Sequence, residues 1–450
     1  MKRTGKLLLI SAFTGFLVLV LPLSTALAEE KSQASIDKGA TAWMLASSAL
    51  ILLMIPGLAL FYGGRVRAKN VLGTMMQSFF CMALVSVQWV LVGYTLAFGE
   101  PCCGGLFGGL KYAFLGDVPV DSPFPGTSIP HLVQVTYQMM LAILAPALIT
   151  GAFAERVRFG AFVLFTLLWT TLVYDPIAHW VWGNGMLSFA DGSWLKNAAG
   201  AGVLDFAGGT VVHVSSGVSA LVFVLLIGKR RGYPAEPILP HNLVLTVLGA
   251  GILWFGWFGF NGGSGLDSGG LAGRAFTATQ VCAASAALSW AVVEWMHRGT
   301  ASVLGVAKGL LTGLVCITPA SGYVTPMSAL VMGIIVAPVC YLFLGRVKAR
   351  FGYDDSLDVF GVHGVAGTVG ALLTGIFCIA GTAGSVRYEA GLKQFTAQAI
   401  AVLVVTVYSA IGTGILVKVV DTIVRIRVSD DEELTGLDVT QHGERGYNSQ

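Results

Sequence analysis

Two imidazoles sit in segments that leave no room for ordinary polar surface. His213 lies in "DFAGGTVVHVSSG" (205–217) and His363 in "DVFGVHGVAG" (358–367), stretches otherwise built mainly of Gly, Val, Ala, Thr and Ser. Each has an aspartate upstream of its histidine and a glycine four residues after it, Gly217 and Gly367. An ionisable side chain at bilayer depth is costly unless it is paired or lines a cavity, so each histidine marks a functional site in need of a partner. A neutral imidazole offers one donor and one acceptor nitrogen. Metal binding fits poorly. Two imidazoles without a neighbouring carboxylate or thiolate leave zinc short of ligands, and neither HExxH nor paired CxxC spacing occurs.

A second set of residues falls where spans end. Trp182 in "HWVWGNG" and Phe260 in "WFGFNGGSG" occupy the outer face, where aromatic side chains commonly anchor the interface. Ser264, on the glycine-rich turn beside Phe260, adds a hydroxyl, and aromatic faces with an oxygen acceptor suit a small cation. Asp205 reads as the N-cap of the span that carries His213, its charge also lending negative potential at the mouth. It precedes His213 by eight residues, about 12 Å along a helix, too far for direct contact.

The elements that position these groups are membrane helices. With 55% hydrophobic residues, 11% charged residues and a mean hydropathy of +0.76 over 450 residues, the composition excludes a water-soluble globule of this size. A net charge of +3 without a block of basic residues gives no sign of nucleic-acid binding. Five of the seven cysteines lie in apolar runs, while Cys102 and Cys103 are neighbours in a loop, so no disulfide framework is expected. Lys2, Arg3 and Lys6, an apolar run from Leu7 to Leu23 and the small-residue pattern Ala26-Leu27-Ala28 read as a cleaved signal peptide over 1–28.

Eleven apolar runs follow, near 41–63, 71–98, 131–154, 160–181, 208–228, 240–260, 276–296, 302–318, 324–344, 361–381 and 395–420, each taken as a span. With the mature N-terminus outside, the cytoplasmic segments hold fourteen Lys and Arg against seven outside, which satisfies the positive-inside rule. The outer segments 99–130 and 182–207 are expected to wall a vestibule. The His213 span runs inward and the His363 span outward, five spans apart. That describes a 5+5 inverted repeat plus a final helix, whose halves would bring the two histidines together near the midplane.

"FYGGRVRAKN", "GAFAERVRF", "PIAHWVWGNG", "DFAGGTVVHVSSG", "WFGWFGFNGGS" and "DDSLDVFGVHGVAGT" together resemble the signature segments of the ammonium transporter (Amt/Mep/Rh) family, of bacterial Amt type, in order along nearly the whole mature chain. The resemblance implies an all-α membrane domain of eleven helices over 29–420, a cytoplasmic tail over 421–450, and a homotrimer with one pore per subunit in the inner membrane. It implies that His213 and His363 are the twin pore histidines, that Trp182, Ser264 and Asp205 form the outer ammonium site, and that Phe260 is the inner gate. The outer gate position falls on Leu141, with Tyr137 one helical turn before it at the substrate site. Leucine departs from the family's phenylalanine: it plugs the path but has no π face, so cation–π recruitment leans on Trp182. Gly436-Leu437-Asp438 and His442-Gly443-Glu444 resemble the tail on which a PII-type regulatory protein acts in relatives. No cofactor is implied.

The expected function is therefore transport of ammonium or ammonia, with methylammonium as an analogue. An ammonium sensor signalling through the tail is the alternative. An intramembrane enzyme is disfavoured, because no paired-aspartate, Ser–His or zinc motif falls on adjacent spans.

Overall fold

The computed structural model describes residues 35–383 and 386–447; the expected signal peptide lies outside the described residues. The apolar runs form α1 Lys38–Gly63, α2 Ala68–Phe98, α3 His131–Thr150, α4 Phe159–Trp182, α5 Gly209–Ile227, α6 Leu243–Gly263, α7 Gly270–Arg298, α8 Val303–Ile317, α9 Pro326–Phe351, α10 Phe360–Phe377 and α11 Leu392–Ile423. This is an all-α integral membrane fold. At 15 residues α8 covers only about 22 Å, and irregular backbone continues its path. Such backbone is tolerated at membrane depth where protein buries it: Phe206 and Ala207 N–H groups bond the carbonyls of Pro319 and Thr318, at 3.1 and 3.2 Å.

The expected sixth span, 240–260, is displaced to Leu243–Gly263. Asn242 starts it by accepting the Leu245 N–H at 3.1 Å, and the helix carries on through Gly262 and Gly263. Ser264 is therefore the residue that ends α6. Glycine also decides how α6 meets α1. A Cβ on Gly249 would stand 2.3 Å from the Phe61 nitrogen, and one on Gly256 2.6 Å from the Leu50 carbonyl oxygen, so the two backbones touch along this face.

The repeat pairs α1–α5 with α6–α10. α5 and α10 both open with a π-helical turn, Gly209–Val214 and Phe360–Val365. The glycine after each histidine receives the opposite helix: a Cβ on Gly217 would lie 2.2 Å from the Gly364 nitrogen, and one on Gly367 3.0 Å from both the Gly209 carbonyl oxygen and His213 Cβ. Neither position has space for a side chain without moving the helix that carries a histidine.

Beyond α11 the chain folds back. A short helix, Asp430–Thr435, starts with a capping box between Ser429 and Glu432. Asp438 then accepts the N–H groups of Leu72 and Gly73 near the start of α2, at 3.1 and 2.8 Å. Glu433 accepts the Arg231 N–H at 2.7 Å and pairs with Arg427 at 3.0 Å, while the Lys69 ammonium donates to the carbonyls of Glu433 and Leu434.

Candidate pore and recruitment site

A cavity of 590 Å³ opens at one end of the bundle, lined among others by Leu141, Trp182, Asp205 and Ser264. Both segments expected to form its wall contribute, through Phe124 and through Asn184 and Ser188. Trp182 is held by its edge, its indole N–H donating to the Asp205 carbonyl at 2.8 Å. The Asp205 carboxylate is occupied by backbone: it accepts from the N–H groups of Gly208, Gly209, Thr210 and Val211 at 2.6–3.1 Å, and from the Thr210 hydroxyl. It satisfies the free N–H groups at the start of α5, as expected of a cap, but from three residues before Gly208, which is the N-cap residue itself.

Ser264 and Tyr137 share one acceptor. The Phe260 carbonyl receives the Ser264 hydroxyl at 2.9 Å and the Tyr137 hydroxyl at 2.5 Å, and the two hydroxyl oxygens are 2.9 Å apart. With its proton turned toward that carbonyl, Ser264 Oγ keeps lone-pair density for a donor in the cavity. Tyr137 is fully buried and is not among the cavity-lining residues. Grouped with the substrate contacts from sequence, it stands behind Ser264 and fixes its position.

Leu141 is 1% exposed and lines the cavity, whereas Phe260 and both histidines do not, so the cavity ends above them. Phe260 is fully buried with its ring 6.1 Å from that of His213. His213 and His363 then meet with their Nδ1 atoms 3.3 Å apart and ring planes inclined by 23°. A bond between two Nδ1 atoms requires one ring to donate and the other to accept. With both rings neutral, one Nε2 is left as an acceptor and the other as a donor. His213 Nε2 has no partner among the described residues.

Two contributors were not singled out from sequence. Trp257 stacks on His213 at 5.5 Å and 20°, fixed by its indole N–H donating to the Thr318 hydroxyl at 2.9 Å. Asp355, and not Asp358, is the counterpart of Asp205: it accepts the N–H groups of Val359 and Phe360 at 3.0 and 2.8 Å. Its signal was present as equal spacing, since each capping aspartate precedes its histidine by eight residues. Asp358 is the counterpart of Gly208. Both have positive φ, 67° and 118°, and the Asp358 carboxylate turns away to Arg65, Lys308 and Lys348 at 2.8, 2.7 and 2.6 Å.

The model of the Ammonium Transporter Family matches residues 42–447. The chain belongs to the ammonium transporter family. It is 45% identical to the ammonium transporter of Bacillus subtilis, covering 91% of this chain and 98% of that one. To the ammonium transporter of Aquifex aeolicus it is 42% identical, over 96% and 99% of the two chains. Among solved structures it resembles Mep2 of Saccharomyces cerevisiae, with TM-score 0.79, 32% identity and 88% and 89% coverage. It also resembles a sensor Amt protein, with TM-score 0.81, 30% identity and 90% and 98% coverage. As a member of this family the chain is a transporter and not an enzyme.

In this ammonium transporter the end opposite the vestibule is tied by buried charge. Arg230 pairs with Asp354 at 2.8 Å and with Glu155 at 2.9 Å, and Glu155 also holds Arg67 at 2.9 Å. Burial pushes the Glu155 carboxyl up, but Arg230 and Arg67 outweigh it and hold it below its usual value. Asp354 is likewise raised by burial and brought below its usual value by the Arg230 hydrogen bond and the Arg156 charge. The loops after α1, α3, α5 and α9 are thereby joined beneath the histidine pair.

Proposed function

We propose that this chain takes up ammonium by recruiting the cation in the vestibule at Trp182 and Ser264 and passing it onward as ammonia. One N–H bond breaks heterolytically, the lone pair staying on nitrogen and the proton going to vestibule water. Neutral ammonia then passes Leu141 and Phe260, an apolar neck that penalises any intact ion, and meets hydrogen-bond partners on His213 and His363. Ammonium and potassium are alike in size and charge, so loss of a proton, and not sieving by radius, is the basis of selection.

The observation that carries this reading is the buried Nδ1–Nδ1 contact of His213 and His363 below a cavity closed by Leu141. The test is purified protein in vesicles, with methylammonium uptake and ammonium-evoked current recorded together. Uptake that ammonium inhibits and potassium does not is expected. Uptake without discrimination against potassium would overturn the reading. Current accompanies uptake if the proton follows through the histidine pair and is absent if it stays outside.

The setting proposed with it is a bacterial inner membrane, a cleaved peptide over 1–28, the mature N-terminus outside, a membrane domain over 29–420 and a cytoplasmic tail over 421–450. A homotrimer completes the unit, and a PII-type protein is proposed to act at the tail face. The tail's hydrogen bonds to the start of α2 and to Arg231 favour a second reading, an ammonium sensor reporting through that tail. Growth of a transport-deficient cell on limiting ammonium separates the two, because a pure sensor gives no rescue.

A further inference from the structure

Two thiols stand at the tip of a hairpin that follows α2. Pro101–Cys102 and Phe107–Gly108 pair antiparallel, and the turn between them carries Cys103, Gly104 and Gly105 at positive φ, 52°, 73° and 80°. The Gly105 N–H closes it by donating to the Cys102 carbonyl at 2.9 Å. Cys103 is exposed and Cys102 half-buried, whereas the other five cysteines are buried. The Cys102 thiol hydrogen-bonds to the Cys103 sulfur, which raises Cys102 above its usual value. The same turn is bonded to the end of α4. The Leu106 carbonyl accepts the Trp180 indole N–H at 2.9 Å, and the Gly105 carbonyl accepts the Met186 N–H at 3.2 Å. These two bonds bracket Trp182, so the turn that carries the thiols also holds the segment on which the recruitment aromatic stands.

Resting on the orientation and recruitment reading above, we infer that Cys102 and Cys103 are a reversible redox modification site, a dithiol that closes to a vicinal disulfide by exchange with an external disulfide. The exposed Cys103, as thiolate, attacks one sulfur of that oxidant; a mixed disulfide forms as the oxidant's S–S bond breaks, and the released thiolate takes a proton from water. Cys102 then loses its proton to water and attacks Cys103 Sγ, releasing the second thiol. The dithiol is oxidised by two electrons and the external disulfide is reduced to two thiols. Consecutive Cα atoms lie about 3.8 Å apart across a trans peptide, short of the roughly 4.4–6.8 Å that an ordinary disulfide spans, so the ring closes only by reshaping the peptide between the two cysteines and is readily reduced again. The Cys102 carbonyl belongs to that peptide. Its bond from the Gly105 N–H is disturbed by closure, and the Gly105 and Leu106 carbonyls that hold Met186 and Trp180 shift with the turn. Oxidation thereby loosens the Trp182 end of α4 and weakens recruitment.

The test exposes wild type, Cys102→Ser and Cys103→Ser to oxidised glutathione, in detergent and from outside in intact cells, and reads the mass of the peptide holding residues 102 and 103 together with methylammonium uptake. The wild-type peptide is expected to lose two hydrogens without retaining glutathione, and dithiothreitol to reverse the change. Cys102→Ser is expected to stop at the glutathione adduct. Oxidised wild type should need a severalfold higher methylammonium concentration for half-maximal uptake, and Cys103→Ser should transport like reduced wild type with or without oxidant. A wild-type peptide that stays reduced in detergent, or keeps the adduct, overturns the inference alone. So does an unmoved half-saturating concentration after full closure. Closure in detergent but not in intact cells overturns the orientation and this inference together. Absence of uptake by reduced wild type overturns the recruitment reading, and the mass change then decides the redox site by itself.

Discussion

Asp205 and Asp355 hold equivalent stations on the two halves of the fold. Each precedes its histidine by eight residues and accepts backbone N–H groups at the start of the histidine helix. The residue after each, Phe206 or Ser356, donates its own N–H to a carbonyl two residues past the end of α8 or α3, that of Pro319 at 3.1 Å or Ala152 at 3.0 Å. The pair sets the entry of α5 and α10, and hence where the two imidazoles meet.

Replacing either aspartate tests that role. In Asp205→Ala four N–H groups lose their acceptor, and a loss of about 1–3 kcal/mol is expected. Asp205→Asn keeps one oxygen and should lose less, and Asp355→Asn should behave like it. Thermal unfolding in detergent ranks the variants. Equal melting of wild type and Asp205→Ala would show that the cap is dispensable.

His213→Ala and His363→Ala, made singly, remove one side of the 3.3 Å contact and leave the other Nδ1 without its partner. The expected outcome is altered rate or selectivity for methylammonium uptake with the size-exclusion profile of wild type. Wild-type uptake and potassium discrimination in both variants would remove the pair from the pore.

Leu141→Phe separates two roles of the proposed outer gate. If the gate is mainly steric, the favoured view because Trp182 already supplies a π face, the maximal uptake rate changes and the half-saturating concentration does not. An aromatic contribution would instead strengthen recruitment by about 0.5–2 kcal/mol. A severalfold fall in half-saturation at unchanged maximal rate would overturn the steric view.

The charged network opposite the vestibule predicts a pH dependence. Glu155 and Asp354 have folded-state values held below their ordinary ones, so their contribution is fully present above the unfolded value of about 4 and is lost as pH falls through the folded value. Melting temperature should therefore be insensitive to these two groups from about pH 5 to 8 and fall below about pH 4. Glu155→Gln leaves buried Arg230 short of charge and should cost about 3–5 kcal/mol near neutrality while removing part of the acid loss. A mutant with wild-type stability at pH 7 would contradict this account.

Much of this protein is determined locally and was legible without the fold. The spans follow from apolar runs long enough for a bilayer, and the repeat from matching His-x-x-x-Gly segments in opposed spans. The cap at Asp205 is a local rule as well, since an acidic side chain before a helix meets free N–H groups wherever the chain goes. What the sequence could not place were contacts between distant segments. Tyr137 looked like a substrate contact because it lies one turn from Leu141, yet its hydroxyl is spent on Phe260 and Ser264, more than a hundred residues away. Asp358 is nearer His363 in sequence, yet Asp355 accepts the helix N–H groups, because Arg65, Lys308 and Lys348 give the Asp358 carboxylate another direction. Trp257 joins the histidine pair only through the tertiary fold, which lays its indole on His213. Helix periodicity says which face a residue occupies, and burial in a bilayer says that polar groups must pair. Which partner each one finds depends on how eleven helices pack, and that is decided by glycine contacts such as Gly217 against Gly364, where the absence of a side chain lets two backbones touch.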